Sequence, residues 1–240
     1  MAPMLAELLG LVAPPRCSLC AGSCLAREAV CDRCEARLRA LRPRFVRAPG
    51  LDAAWSASAY EGLTRELVMA LKFGARLQLA GRAAVAIADS APADLLRGVI
   101  VPVPAAPARR RRRGFDAAEE IAAALAARTG LEARRCLRRA QGRRQVGRPR
   151  AERLADPPRV ALHGAPPERA VLVDDVLTTG ATVRACADAL RCGGAERVVA
   201  LTFAASGGEA HRDPPGSRID LARSDRRRRI LREAGTRGEG

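Results

Sequence analysis

Aromatic residues are nearly missing from this sequence: one Trp, one Tyr and four Phe stand among 240 residues. Hydrophobic residues make up 48% of the chain, so a core is available, but it has to be built from Ala, Val and Leu. Lysine is rarer still. Lys72 is its single occurrence, and the formal net charge of +16 therefore rests on arginine. Such a charge suggests polyanionic partners, although an Ala/Arg-rich, Lys-poor composition is also the mark of a GC-rich genome, which accounts for part of the excess. No run of about 18 apolar residues occurs, which argues against a membrane-spanning helix. Met1–Val12 is apolar but lacks a basic start and carries Pro3 and Glu7, so a short amphipathic lead-in helix is expected in place of a signal peptide. The cytoplasm is the expected compartment. The length allows one substantial domain with a small appendage, or two modest ones.

What is present is concentrated in Val171–Leu190, VLVDDVLTTGATVRACADAL. Val171-Leu172-Val173 has the pattern of a buried strand in a parallel sheet, and two carboxylates, Asp174 and Asp175, follow at its end. Thr178, Thr179, Gly180, Ala181 and Thr182 then lead into a helical pattern carried by Val183, Cys186, Ala187 and Leu190. Backbone N–H groups of such a turn, with the positive end of the helix dipole, hold a phosphate. The threonine hydroxyls add donors, and Gly180 permits close approach. The carboxylates suit two vicinal ribose hydroxyls or a magnesium ion bound to them. A plainer use exists, as caps of a buried turn, but a cap needs one such residue and not two acids, three threonines and a glycine in order. The segment resembles the 5-phosphoribosyl 1-pyrophosphate (PRPP) signature of type I phosphoribosyltransferases, and fills every position of it.

Five of the eight cysteines fall close together: Cys17, Cys20, Cys24, Cys31 and Cys34. Cys17/Cys20 and Cys31/Cys34 form two CxxC knuckles. Four thiolates satisfy a tetrahedral zinc with no open position, so the metal would hold the fold and take no part in catalysis. A disulfide pair is the rival in an oxidising compartment, and a redox CxxC would not need doubling. Cys24 is left over. Cys136, Cys186 and Cys192 read as small buried apolar residues.

The rest organises as alternating strands and helices. Strands are expected over Ala53–Tyr60, Val99–Pro104, Leu131–Leu137, Val171–Asp174 and Arg197–Phe203, and helices over Thr64–Phe73, Leu79–Ala88, Phe115–Arg128 and Thr182–Arg191. Gly130 and Gly193-Gly194 end helices, Arg37–Arg47 is a basic connector, and Arg138–Pro158 reads as a long loop. This alternation implies an open α/β fold with a parallel sheet flanked by helices. Three parts are expected: a zinc-binding module over 1–47, the α/β domain over 48–205, and a disordered basic tail over 206–240.

Several short motifs occur in a telling order: the four-cysteine knuckles, Tyr60-Glu61-Gly62, Leu71-Lys72-Phe73, Val101-Pro102-Val103-Pro104, Arg113-Gly114-Phe115, Gln145 with Arg150, and the PRPP signature. From about Pro15 to Ala204 this order is similar to the ComF family of competence-associated, phosphoribosyltransferase-like proteins with an N-terminal zinc finger. Where that family usually continues Arg-Gly-Phe with Asn-Gln, Asp116-Ala117 stand here. The resemblance implies a type I phosphoribosyltransferase-like fold, magnesium-dependent transfer of phosphoribose from PRPP to an acceptor, and a link to DNA uptake. It implies that Asp174 and Asp175 hold the ribose diol and ion shell, that Thr178–Thr182 bind the 5-phosphate, and that Val103–Phe115 form the loop facing the pyrophosphate. Arg113 is then the leading guanidinium, Lys72 a further ligand-binding candidate, and Arg138–Arg150 a cover over the site. Five adjacent arginines over Arg109–Arg113 also suit a solvated basic run, and a lone lysine also suits a snorkelling surface position. A second function class stays open, a non-catalytic PRPP-sensing or single-stranded-DNA-binding accessory protein. Its stacking platform would be poorly supplied with aromatics.

Overall fold

The structure, a computed structural model, describes residues 15–25, 28–74, 76–139 and 158–206. The expected lead-in helix at Met1–Val12, most of the Arg138–Pro158 loop and the tail beyond Ser206 lie outside the described residues.

Among the described residues the main sheet has five strands: β1 (Arg44–Phe45), β2 (Ala53–Ser56), β3 (Val99–Pro102), β6 (Arg169–Leu177) and β7 (Arg197–Ala205), in spatial order β1-β2-β7-β6-β3. All pairings are parallel except β1 with β2. The intervening helices are α1 (Asp32–Arg39), α2 (Gly62–Gly74), α3 (Gln78–Ser90), α4 (Pro107–Arg113), α5 (Ala117–Thr129) and α6 (Ala181–Cys192). A small antiparallel pair, β4 (Leu137–Arg139) and β5 (Val160–Leu162), lies apart from the main sheet. The fold is α/β with a mostly parallel sheet, and four cysteines cluster near its N-terminal side.

Successive residues of a strand point to opposite faces, and both faces of this sheet are covered. Val171 and Val173 of β6 and Val199, Leu201 and Phe203 of β7 join one apolar cluster, with Leu67 and Leu71 of α2, Ile87 of α3 and Ile121 and Leu125 of α5. Leu172, Val198 and Ala200 join the other, with Val183, Cys186 and Leu190 of α6. That double burial explains why β6 and β7 read as unbroken apolar runs. Each fully buried Leu, Ile or Phe contributes about 1.5–3 kcal/mol relative to exposure. The scarce aromatics are spent at the sheet's edge, where the rings of Phe45 and Trp55 meet edge to face at 4.8 Å.

Several boundaries differ from expectation. β2 stops at Ser56, because the Ser58 hydroxyl donates to the Phe203 carbonyl (2.7 Å) and turns the chain while Ala59 still bridges Ala205. The strand expected within Leu131–Leu137 forms at its end instead, over β4, with Ala133 only bridging Ile100. The expected pyrophosphate-facing loop contains a helix: Pro107 suits a first turn, arginine is a good helix former, and Gly114 (φ 80°) closes α4. Cys136 and Cys186 are buried as expected, but Cys192, at the solvent end of α6, is exposed.

Candidate functional site

The acids Asp174 and Asp175 lie within β6 and not at its end. β7 continues alongside, pairing Asp174 with Thr202 and Leu177 with Ala205. On the other side β3 stops one step short of the acids, at Pro102 opposite Val173, and the Val103 N–H donates the last bond to the Val173 carbonyl (2.9 Å). The outrun of β6 past β3 opens a cleft of about 220 Å³ beside the carboxylates. Residues from five elements and their connections line it: Tyr60, Lys72 of α2, Arg109 and Arg113 of α4, Asp116, Arg139 of β4, Asp174, Asp175, Thr178 and Thr182. Thr179, Gly180 and Ala181 make the turn between the two lining threonines.

Gly180 sits at the N-cap of α6 with φ 73°, and the Ala181 N–H donates to Thr179 Oγ1 at 3.4 Å. The first turn of any α-helix leaves N–H groups without helical acceptors, and here that turn opens beside the exposed hydroxyls of Thr178 and Thr179. A phosphate is the group such a turn accepts.

Lys72, the sole lysine, reaches Asp175: Nζ lies 2.7 Å from both Oδ1 and Oδ2. Asp174 takes the Asp175 backbone N–H on Oδ1 at 2.8 Å. Burial, and next the Asp175 carboxylate, push Asp174 well above the usual carboxylate range, with Lys72 opposing. Asp116 supplies a third acid that the sequence reading had noted only as a departure from a motif. It is 5% exposed, accepts the Ala118 N–H as N-cap of α5 (3.1 Å), and accepts the Ala105 N–H on its other oxygen (2.8 Å). Burial raises its carboxyl above the ordinary value. One side chain thus fixes both the segment after β3 and the start of α5.

The cations come from separate elements. Arg109 and Arg113 stand one helical turn apart on α4 and both line the cleft, while Arg110 turns away to Glu119 (3.4 Å). Of the five adjacent arginines, Arg109 and Arg113 line the cleft and Arg110, Arg111 and Arg112 do not. Burial, and next the Arg109 guanidinium, lower the proton affinity of Arg139, with Cys186 and Asp174 opposing. Tyr60 and Asp116 carry no ligand role in sequence, and Arg109 and Arg139 stand there only within the wider expected spans Val103–Phe115 and Arg138–Arg150. Only the fold brings them beside the acids.

The second centre is distant in chemistry. The Sγ atoms of Cys17, Cys20, Cys31 and Cys34 all lie within 4.8 Å of one another, and Cys20 and Cys31 are 3.6 Å apart. Thiolates about 2.3 Å from a tetrahedral zinc stand about 3.8 Å apart, so the set fits a zinc ion. Burial alone would raise Cys17, but hydrogen bonds with the backbone of Cys20, Cys31 and Leu19 outweigh it and bring the thiol down to about 6. Burial pushes Cys34 up, and the three neighbouring thiols add to this. Cys24 stands outside the cluster and donates to the Glu28 carbonyl at 3.3 Å. The centre is tied to the body through Ser18, whose carbonyl accepts from Arg76 and whose hydroxyl accepts from Gln78.

No protein-family model and no curated protein match the sequence. Solved structures similar over part of it include these two. One is glutamine PRPP amidotransferase from B. subtilis, complexed with ADP and GMP, with TM-score 0.37 and 20% identity, covering 52% of this chain and 26% of that one. The other is described as the allosteric regulatory enzyme of purine biosynthesis, with TM-score 0.37 and 17% identity, covering 53% and 26%. The chain therefore spans about a quarter of the length of each structure that it matches.

Proposed function

We propose that the chain binds PRPP with magnesium in the cleft beside β6 and transfers the phosphoribosyl group to an acceptor nucleophile, releasing pyrophosphate. One observation carries this reading: paired carboxylates, a threonine turn at a helix N-terminus and three arginines converge on one cleft. Each fits a different part of a single ligand. Asp174 and Asp175 accept hydrogen bonds from the ribose diol, the Thr178–Thr182 turn takes the 5-phosphate, and Arg109, Arg113 and Arg139 meet the pyrophosphate. In the transfer the acceptor forms a bond to C1 of the ribose as the C1–O bond breaks, and the bonding pair leaves on pyrophosphate. Positive charge grows on the sugar, beside the carboxylates, and negative charge on the leaving group, beside the guanidinium groups. Carboxylates are hard oxygen donors that suit magnesium, and a bound ion supplies neutralisation of the departing pyrophosphate. Lys72 has to share or yield Asp175 when the ligand arrives.

The four-thiolate centre is proposed as a structural zinc site. A role in DNA uptake, as the resemblance implies, is a further proposal at the level of biology. The direct experiment is calorimetric titration of PRPP with and without magnesium, followed by a screen of candidate acceptors for pyrophosphate release. Binding without turnover for every acceptor would favour a PRPP-sensing protein. No binding at millimolar PRPP would remove the enzyme reading.

A further inference from the structure

Of the six aromatic side chains, the fold buries Phe45, Trp55 and Phe203 and half-buries Tyr60 and Phe115. Phe73 is different. It lies at the C-terminal end of α2, next to Lys72, and is 59% exposed. In a chain so poor in aromatics, a ring left on the surface invites a specific use. Its neighbours indicate one. The Arg113 guanidinium carbon lies 4.9 Å from the ring centroid, and that of Arg112 lies 5.9 Å away.

Arg113 needs such a support. α4 buries none of its residues, so no apolar anchor fixes the helix against the core. Five consecutive like charges along it repel one another. Arg113 has no carboxylate partner among the described residues, and its Nε is buried without a hydrogen-bond acceptor. An arginine held by neither ion pair nor core would lose rotamer freedom on meeting an anion, and that loss weakens binding. The ring quadrupole of Phe73 attracts a guanidinium without neutralising it. The cation is therefore oriented while its charge stays available.

We infer that Phe73 is a positioning residue whose ring holds the Arg113 guanidinium at the cleft, ready for the pyrophosphate group of the ligand. The inference rests on the reading of the cleft given under Proposed function. It predicts a division of labour on α2, in which Lys72 serves the carboxylates and Phe73 serves the leaving-group side. Arg112 is not among the residues lining the cleft, so its contact with the same ring carries no ligand role.

Calorimetric titration of magnesium pyrophosphate and magnesium PRPP tests this in the full chain. Phe73→Leu weakens both by about threefold to tenfold, the size expected of a partly shielded cation–π contact, and leaves the melting temperature unchanged because the ring is exposed. Phe73→Trp preserves affinity. In an Arg113→Ala background Phe73→Leu adds nothing, and Arg112→Ala behaves as wild type. Wild-type affinity in Phe73→Leu overturns the inference, as does an equal loss in the Arg113→Ala background, which would point to Phe73 touching the ligand or a partner directly. Failure of the wild type to bind either probe brings down the cleft reading itself, a result distinct from both.

Discussion

At Asp175 the sole lysine meets one member of an acid pair, while burial and the Asp175 carboxylate push Asp174 up and Lys72 opposes them. Lys72→Met removes the cation paired with Asp175 from beside two adjacent carboxylates. A half-buried pair broken from one side costs about 1–3 kcal/mol after allowance for the solvent exposure of Lys72, a loss that urea unfolding should resolve. Combined Asp174→Asn and Asp175→Asn exchange relieves the repulsion and keeps the fold, but removes charge-assisted bonds worth about 1.5–3 kcal/mol each to a bound diol or ion. PRPP affinity in calorimetry should drop accordingly, and retained affinity would exclude the acid pair from the ligand site. Asp116 gives a pH signature. Its carboxyl is raised above the ordinary 3.8 by burial, so the stability it contributes is present below 3.8 and lost as pH rises through the raised folded-state value. Asp116→Asn lacks that titration. The urea-midpoint difference between wild type and Asp116→Asn should therefore move against the wild type as pH rises over this range, and a flat difference would mean that the buried charge is compensated. The importance of Asp116 was not legible in sequence, because its two backbone donors, Ala105 and Ala118, come together only once β3 and α5 are in place.

Among the elements, the helices were the most legible, since apolar spacing in α2, α3 and α6 reports burial against one sheet face. The parallel sheet and the cysteine cluster were equally readable from β-branched runs and CxxC spacing. α4 was not, because a run of identical arginines has no periodicity, and the end of β6 was missed because the acids looked like a terminus while β7 extends the pairing beyond them. Gly98 reads in sequence as the end of a turn, but the demand for glycine there comes from a neighbouring strand. At φ 121° it immediately precedes β3, and a Cβ there would overlap the Arg169 carbonyl oxygen. Gly98→Ala should cost on the order of 3 kcal/mol or more through strain and overlap. Gly130→Ala, with φ 73° but open space around it, should cost only about 1 kcal/mol; equal costs would show that conformation alone decides. For the cysteine centre, purified protein should contain about one zinc per chain, and Cys31→Ser or Cys34→Ser should remove it and lower the melting temperature by about 5–10 °C. Cys24→Ser should keep the metal, as its thiol points to a carbonyl. Metal-free wild type of unchanged stability would dismiss the zinc site.

For the whole molecule, the +16 charge predicts weak, sequence-independent binding to single-stranded DNA. The buried positions of Phe45, Trp55 and Phe203 leave little for base stacking, so such binding must rest on phosphate contacts and weaken steeply with salt. A flat salt response in a fluorescence titration, or no binding at low ionic strength, would leave the basicity as a trait of composition. The sheet order has a different consequence, one of time. Among the described residues β7 lies at the centre of the sheet and is its last strand in chain order, while its neighbour β2 is among the first. Ala53 pairs with Val199, so during synthesis at about 5–20 residues per second β2 waits roughly 7–30 s for its partner. Until then its apolar residues and open edge are exposed, whereas β3 can join β6 before β7 is made. The cysteine knuckles, complete by Cys34, precede every strand of the main sheet and can close before any of its strands pair. The cleft, lined by residues from Tyr60 through Thr182, is by contrast complete only after β6 and the start of α6 have been made.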